Sequence, residues 1–214
     1  MPRLVVRAFT ISLDGYSAGP QQSLEEPFGK GAGRLMDWFR ATQSFHAMVG
    51  ETGGERGMDD DFASHADDNV GATIMGRNMF GPDRGPWDLN WRGLWGDNPP
   101  YHHPVFVLSH REREPFEMQG GTSFTFVTNG IESALEQAIA AAKGKDVRIG
   151  GGAETVRQYL GAGLVDEMHL VQVPLLMGQG ERIFEDLAGV EDRYECTEFT
   201  PSKLVSHLRI VRRA

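Results

Sequence analysis

Leu4, Val5, Val6, Ala8, Phe9 and Ile11 form a nearly continuous apolar run. Such a run predicts a strand over residues 4–13, buried on both faces of a sheet. It stops at Ser12-Leu13-Asp14-Gly15-Tyr16, where Asp and Gly sit as a turn requires. Residues 17–33, rich in Gly, Pro and Gln, read as an exposed loop. Leu35, Trp38, Phe39 and Phe45 then recur at helical spacing over residues 33–46. A second helix is expected from Asp59-Asp60-Asp61 through Phe62, Ala63 and Ala66 to near Asn69. Acidic residues at a helix start are favoured by capping and by the dipole.

Ala72-Thr73-Ile74-Met75 is a short buried strand leading into Gly76-Arg77-Asn78. Residues 81–104 carry Trp87, Trp91 and Trp95 without regular periodicity, and a loop of that length either binds something or covers a core edge. Strands follow at 105–108, ending in Ser109-His110-Arg111, and at 124–127. Residues 131–143 read as an alanine-rich helix closed by Gly144. Val147-Arg148-Ile149 is a strand, and a helix runs on to about Leu160. Alternation predicts a strand over 165–173, and two late strands at 194–199 and 204–211 suit a hairpin. Strand and helix alternate, then strands close the chain. This predicts an α/β fold in one domain over residues 1–214, with three layers, a mostly parallel central sheet and an antiparallel C-terminal edge.

Between the strand at 147–149 and its helix stands Gly150-Gly151-Gly152-Ala153-Glu154-Thr155. Glycines at a strand-to-helix turn let a ligand approach the backbone, and the helix start adds open N–H groups and a positive dipole end. That is a phosphate-binding arrangement. A tight turn serving only close helix packing is the plain alternative, since the spacing is neither Gly-x-Gly-x-x-Gly nor a nucleotide-triphosphate loop. Three strands share this kind of ending: one leads to Gly76-Arg77, one to Ser109-His110-Arg111 and one to the glycine run. In a parallel sheet all three endings fall on one edge. Two arginines there suit a ligand with several phosphates, because Arg meets phosphate through paired donors.

A formal net charge of -9 argues against a nucleic-acid partner, which needs a basic face. One cysteine, Cys196, excludes an intramolecular disulfide and any cysteine-rich zinc site. The chain starts directly into a strand pattern, and no apolar run approaches the roughly 20 residues of a membrane span, so the cytoplasm and no membrane partner are expected. The alternating strand at 165–173 and the late strands offer a face for a homodimer.

The motifs resemble those of the dihydrofolate-reductase-like superfamily, in the branch of the bacterial riboflavin-pathway deaminase–reductase. The resemblance rests on Ser12-Leu13-Asp14-Gly15, Ile74-Met75-Gly76-Arg77, Val107-Leu108-Ser109, Ile149-Gly150-Gly151-Gly152, Gly163-Leu164-Val165-Asp166-Glu167 and the stretch from Pro174-Leu175 through Gly178-Gln179-Gly180 to Phe184. These cover most of the chain in order. The resemblance implies NADPH as cofactor and hydride transfer to a small heterocyclic or carbonyl substrate, pterin-like or pyrimidine-like. It places Gly76, Arg77 and Asn78 at the pyrophosphate and 2′-phosphate side. Ser109, His110 and Arg111 would surround the adenosine ribose and its phosphate. Gly150, Gly151, Gly152, Ala153, Glu154 and Thr155 would cradle the pyrophosphate, with Gly150-Gly151 as the family's cis peptide bond. Ala8, Gly15 and Tyr16 would border the nicotinamide.

An imine-like acceptor needs a proton with its hydride, and a desolvated acid can supply it. In dihydrofolate reductases that acid lies on the helix before the Gly-Arg strand, and the same spacing lands here on Asp60. Asp61, Asp37 and Asp14 are the other candidates. The chain departs from the pattern in an added segment at about 17–58 and in Tyr16, where the riboflavin reductases often carry lysine. Without a Pro-Cys-x-x-Cys pair it holds no deaminase half. A flavin-using variant, or a nucleotide-binding module without catalysis, would keep the same fold.

Overall fold

The computed structural model describes residues 2–81 and 85–213; Pro82, Asp83 and Arg84 of the tryptophan-rich loop lie outside them. The chain opens with β1 (Leu4–Ser12) and the short β2 (Tyr16–Ala18). The expected helix at 33–46 is broken. A 3-10 turn at Gly33–Met36 leads into α1 (Asp37–Arg40), and α2 (Gln43–Met48) starts anew where the Thr42 hydroxyl accepts from the Phe45 N–H at 3.1 Å. Next come α3 (Met58–Ser64), β3 (Val70–Gly76), α4 (Arg77–Phe80), β4 (Pro104–Leu108), β5 (Phe116–Glu117), β6 (Ser123–Val127) and α5 (Gly130–Ala141). The chain closes with β7 (Asp146–Gly151), α6 (Ala153–Gly161), β8 (Glu167–Val173), β9 (Glu181–Arg182), α7 (Val190–Arg193), β10 (Tyr194–Pro201) and β11 (Ser206–Arg212).

Nine strands form one sheet in the order β10-β11-β8-β1-β7-β3-β4-β6-β5, and β2 pairs with β9 apart from it. From β8 to β6 every pairing is parallel. The hairpin β10–β11 adds antiparallel to β8, and β5 closes the far edge antiparallel to β6. The predicted mostly parallel sheet with its antiparallel C-terminal edge is therefore what the chain builds. The continuous apolar runs are explained by cover on both faces. On one face Val6, Ile74, Phe106, Ile149 and Leu170 pack under Ala134 and Ala138 of α5 and Val156, Tyr159 and Leu160 of α6. On the other, Met75, Val105 and Val107 lie under Phe80 and the loop residues Trp87 and Trp91, while Val171 lies under Trp38 and Ala63. Among the described residues no helix is long and apolar enough to cross a membrane.

Strand β1 is irregular at its centre. The register against β8 shifts between Val6 and Phe9, and Ala8 within that shift has φ 49. A left-handed conformation costs a non-glycine residue about 1–2 kcal/mol, so its surroundings must hold it there. The expected dimer face at 165–173 is interior: β8 lies between β1 and β11, with Val165 and Val171 fully buried. Alternation there marks two buried faces rather than one free face.

Trp38 anchors the added segment. It is 2% exposed, and its indole N–H donates to the Thr10 hydroxyl at 3.0 Å. Trp38→Ala should cost about 3–5 kcal/mol in urea unfolding, the range for emptying a buried aromatic site. A loss under about 1 kcal/mol, ordinary for a surface change, would show that the segment does not depend on this contact.

Candidate active site

The parallel ladder brings β7, β3 and β4 to one rim. Met75 pairs with Gly151 and Gly76 with Leu108, so the three strand ends stand side by side. α6 starts from that rim. Gly152 is its N-cap, no side chain caps it, and a Cβ added to Gly152 would meet nothing within 4 Å. The first-turn N–H groups are thus open to a ligand. Gly76 has a different reason to be glycine: a Cβ there would sit 2.6 Å from the Thr155 hydroxyl. It lets the end of β3 and the start of α6 touch. The cis peptide bond lies at Gly151-Gly152, one residue later than the expected Gly150-Gly151. Ala153 and Thr155 are buried, and Glu154 turns along the helix, bonding its own Arg157 and Gln158.

Two of the rim's turns meet at Trp87. The Arg77 guanidinium lies 3.9 Å over the Trp87 ring and donates to the Gly85 carbonyl at 2.6 Å. The indole N–H of Trp87 donates to the Arg111 carbonyl at 3.1 Å. Ser109 holds that turn, its hydroxyl accepting from the Arg111 N–H at 3.0 Å, and His110 and Arg111 stand exposed. Asn78 reaches the other way and donates to Gln22 of the added segment at 3.3 Å. Gly76, Arg77, Asn78, Ser109, His110, Arg111 and the glycine run therefore share one edge of the sheet.

At the neighbouring end of β1, Asp14 works as a clamp. Its carboxylate accepts from the Ser12 hydroxyl at 2.6 Å, the Gly178 N–H at 2.7 Å and the Met177 N–H at 3.1 Å. These bonds, the Ser12 hydroxyl first, lower its pKa to about 2. The same turn is closed by the Tyr16 N–H on the Ser12 hydroxyl at 2.9 Å and by the Ile183 N–H on the Gly15 carbonyl at 3.0 Å. Asp14 is ionised at neutral pH and committed to the 175–178 loop. That commitment is at odds with its expected place among the proton donors.

The carboxylates of α3 divide. Asp60 turns to α2, where its Oδ1 accepts from the N–H and the hydroxyl of Ser44, both at 2.7 Å; its Oδ2 bonds no protein group among the described residues. Asp59 turns to the sheet and accepts from Nε2 of His207 at 2.8 Å. Asp61 is exposed, and Asp37 pairs with Arg40 at the surface. A cavity of about 330 Å³ opens between α3 and the sheet, lined by Arg7, Phe62, Glu167, His169, His207 and Arg209 among others. Arg3 and Arg7 set it against β1, and none of its lining residues belongs to the glycine rim.

The sequence profile of the RibD C-terminal domain matches residues 3–207. This chain belongs to that family. Solved structures share the fold. A putative riboflavin biosynthesis protein from Shewanella sp. PV-4 is 21% identical, each chain covered over 100%, with a TM-score of 0.57. The Thermotoga maritima diaminohydroxyphosphoribosylaminopyrimidine deaminase/5-amino-6-(5-phosphoribosylamino)uracil reductase is 14% identical over 99% of this chain, with a TM-score of 0.59, and this chain spans 57% of it. Dihydrofolate reductase from Enterococcus faecalis, complexed with NADP(H), is 11% identical over 100% of this chain and 97% of its own, with a TM-score of 0.52. No curated protein matches. Membership in the RibD C-terminal family supports an oxidoreductase of the reductase type.

Three polar residues escaped the sequence reading: Asp59, taken only as part of a helix start, and His169 and His207. The available signal was a histidine at an inward position of a buried strand, in Met168-His169-Leu170.

Because the folded pKa of Asp14 lies below its unfolded value, its stabilisation is complete above the unfolded pKa of about 3.9 and is lost as pH falls through about 2. Melting curves of the parent and Asp14→Ala should differ above about pH 4 and converge toward about pH 2. A gap that persists unchanged to the acid end would contradict the clamp.

Proposed function

We propose that this protein is an NADPH-dependent reductase that transfers a hydride to a small heterocyclic or carbonyl compound. One observation carries the reading: three strand ends, two arginines and an uncapped helix start share a single rim. That donor set fits a dinucleotide with an extra phosphate. Gly150, Gly151, Gly152 and the α6 start would take the pyrophosphate, with Ala153, Glu154 and Thr155 forming the first turn behind it. Gly76 keeps that turn against β3. Arg77 and Arg111 would take the 2′-phosphate side, with Asn78, Ser109 and His110 around them; Trp87 supports the Arg77 guanidinium with its ring and the Arg111 backbone with its indole N–H. Ala8 inside β1 and Gly15 and Tyr16 just past its end would border the nicotinamide. When bound, the cofactor supplies the hydride.

The chain's own part is binding, orientation and a proton. Asp60 is the proton donor of this proposal, through the carboxylate oxygen that Ser44 leaves free. Its bond to Ser44 ties it to the added segment, so that segment sets where the acid stands. We also propose that the protein works in the cytoplasm as a homodimer. The partner face would be the exposed edge strand β10, where Phe199 is 59% exposed, in place of the buried β8. Sedimentation at micromolar concentration should show the dimer, and monomer alone would remove that part.

Fluorescence titration with NADPH, NADH and flavin mononucleotide should rank NADPH first. Arg77→Ala should weaken NADPH by about 1.5–3 kcal/mol, as for a charge-assisted hydrogen bond. Best binding of the flavin would favour a flavin-using relative, and an unchanged mutant would remove the role of Arg77. Asp60→Asn should keep NADPH affinity and slow turnover of whichever pterin, pyrimidine or carbonyl compound is reduced by about 10²–10⁴-fold, the usual contribution of acid–base catalysis. Turnover equal to the parent's would show that the proton comes from elsewhere.

A further inference from the structure

Behind the rim runs a line of hydrogen bonds that the proposed hydride and proton transfers leave unused. The Ala8 N–H donates to Nδ1 of His169 at 3.3 Å. Nε2 of His169 meets Nδ1 of His207 at 3.0 Å. Nε2 of His207 meets Oδ1 of Asp59 at 2.8 Å. His169 and His207 are 7% and 1% exposed. Phe62 stacks on both rings, at 4.8 Å from His169 and 4.0 Å from His207, and the edge of Trp38 stands 5.7 Å from His207.

Both ends of this line fix its direction. A backbone N–H can only donate, so Nδ1 of His169 must be the bare nitrogen. Its proton then lies on Nε2 and points at Nδ1 of His207, which must also be bare. The His207 proton is therefore on Nε2 and points at a carboxylate, which accepts. Only one arrangement satisfies all three bonds: two neutral rings, each protonated on Nε2. Burial first, with the Arg7 charge adding to it, lowers the pKa of His169 to about 4 and agrees with a neutral ring.

The line ends on the peptide of Ala8, the residue with φ 49 at the register shift of β1. An amide cannot pass a proton onward, so the line orients rather than conducts. We propose that Asp59, His207 and His169 are positioning residues: a directional chain that holds the Ala8 peptide and so fixes the floor on which the nicotinamide and its hydride acceptor meet. This rests on the reductase reading for its role, though not for its existence. The chain also links α3, which carries Asp60, to β1 through β11 and β8. One line thereby sets the acid-bearing helix against the strand that borders the cofactor.

Two substitutions separate this role from mere packing. Asp59→Asn keeps an oxygen for His207 Nε2–H; Asp59→Ala removes it. Long-range nitrogen–proton spectra of the histidine rings should show both rings of the parent protonated on Nε2 alone. Asp59→Asn should preserve that pattern. Asp59→Ala, checked for intact folding by circular dichroism, should mix the tautomers and speed hydrogen exchange at the Ala8 amide. NADPH affinity should follow: parental in Asp59→Asn and about three- to tenfold weaker in Asp59→Ala, the size of one lost hydrogen bond. Unaltered ring spectra and Ala8 exchange in a folded Asp59→Ala would overturn the chain, and equal NADPH affinity in all three proteins would overturn its role. A parent that shows the expected tautomers yet binds no NADPH would refute the reductase reading, with the ring spectra still deciding the chain.

Discussion

The unbroken parallel ladder from β8 through β1, β7, β3 and β4 to β6 is the constraint on which the site depends. Residues 8, 76, 109 and 150 have no local reason to be near one another. They meet because buried backbone groups must pair, and pairing in parallel register sends successive strands out at the same edge. Each crossover carries the chain back to the opposite edge, so each new strand end adds its loop to the same rim. Ligand sites in open α/β sheets lie outside the strands' carboxyl ends for this reason. Glycine appears where the edge must stay open, at Gly152, and where two elements must touch, at Gly76 against Thr155.

The best-partnered carboxylates of this protein hold segments in place. Asp14 gathers three donors and ties the end of β1 to the 175–178 loop. Glu167, nearly buried, is met by Arg3, Arg7 and Arg209, which join β1, β8 and β11 at the opposite end from the rim. A buried carboxylate left alone would be costly, and each guanidinium compensates part of its desolvation. Asp60 ties α3 to α2, while Asp59 ties it to the sheet. The one helix is thus held on two sides by neighbouring residues, as a helical step of about 100° per residue permits.

The added segment at 17–58 belongs to this scheme rather than decorating it. Trp38 fills the space between α3 and the C-terminal halves of β1 and β8, and its indole meets Thr10. Gln22 meets Asn78 beside the rim, and Ser44 meets Asp60. A segment that touches the glycine rim, Asp60 and the core at once couples its own packing to the shape of the rim. Proteins that share a fold diverge in the sites built on it, and an added segment at a sheet's edge is one such place.

How much was legible in the chain depends on the range of each signal. Hydrophobic runs and glycine spacing are local, so the long strands, the α5 and α6 helices, the parallel core and the rim could be read directly, while the two- and three-residue strands β2, β5 and β9 are too short to show a pattern. Helix breaks at Met36 and Thr42 could not; at Thr42 the backbone pairs instead with Glu55, whose N–H donates to the Ala41 carbonyl at 2.6 Å and whose carbonyl accepts from the Gln43 N–H at 3.0 Å. Which of Asp59 and Asp60 faces the sheet depends on the rotation of a seven-residue helix, and the periodicity of so short an element fixes that poorly. The partner of Asp14 lies 163 residues away, and His169 and His207 are 38 apart. Nothing in the residues between them specifies those distances. The sequence alone determined a mostly parallel sheet with a glycine-rich edge, because alternation and turn chemistry act over a few residues. Only the tertiary structure decided what each carboxylate does, because a carboxylate takes its role from whichever donors the fold delivers to it.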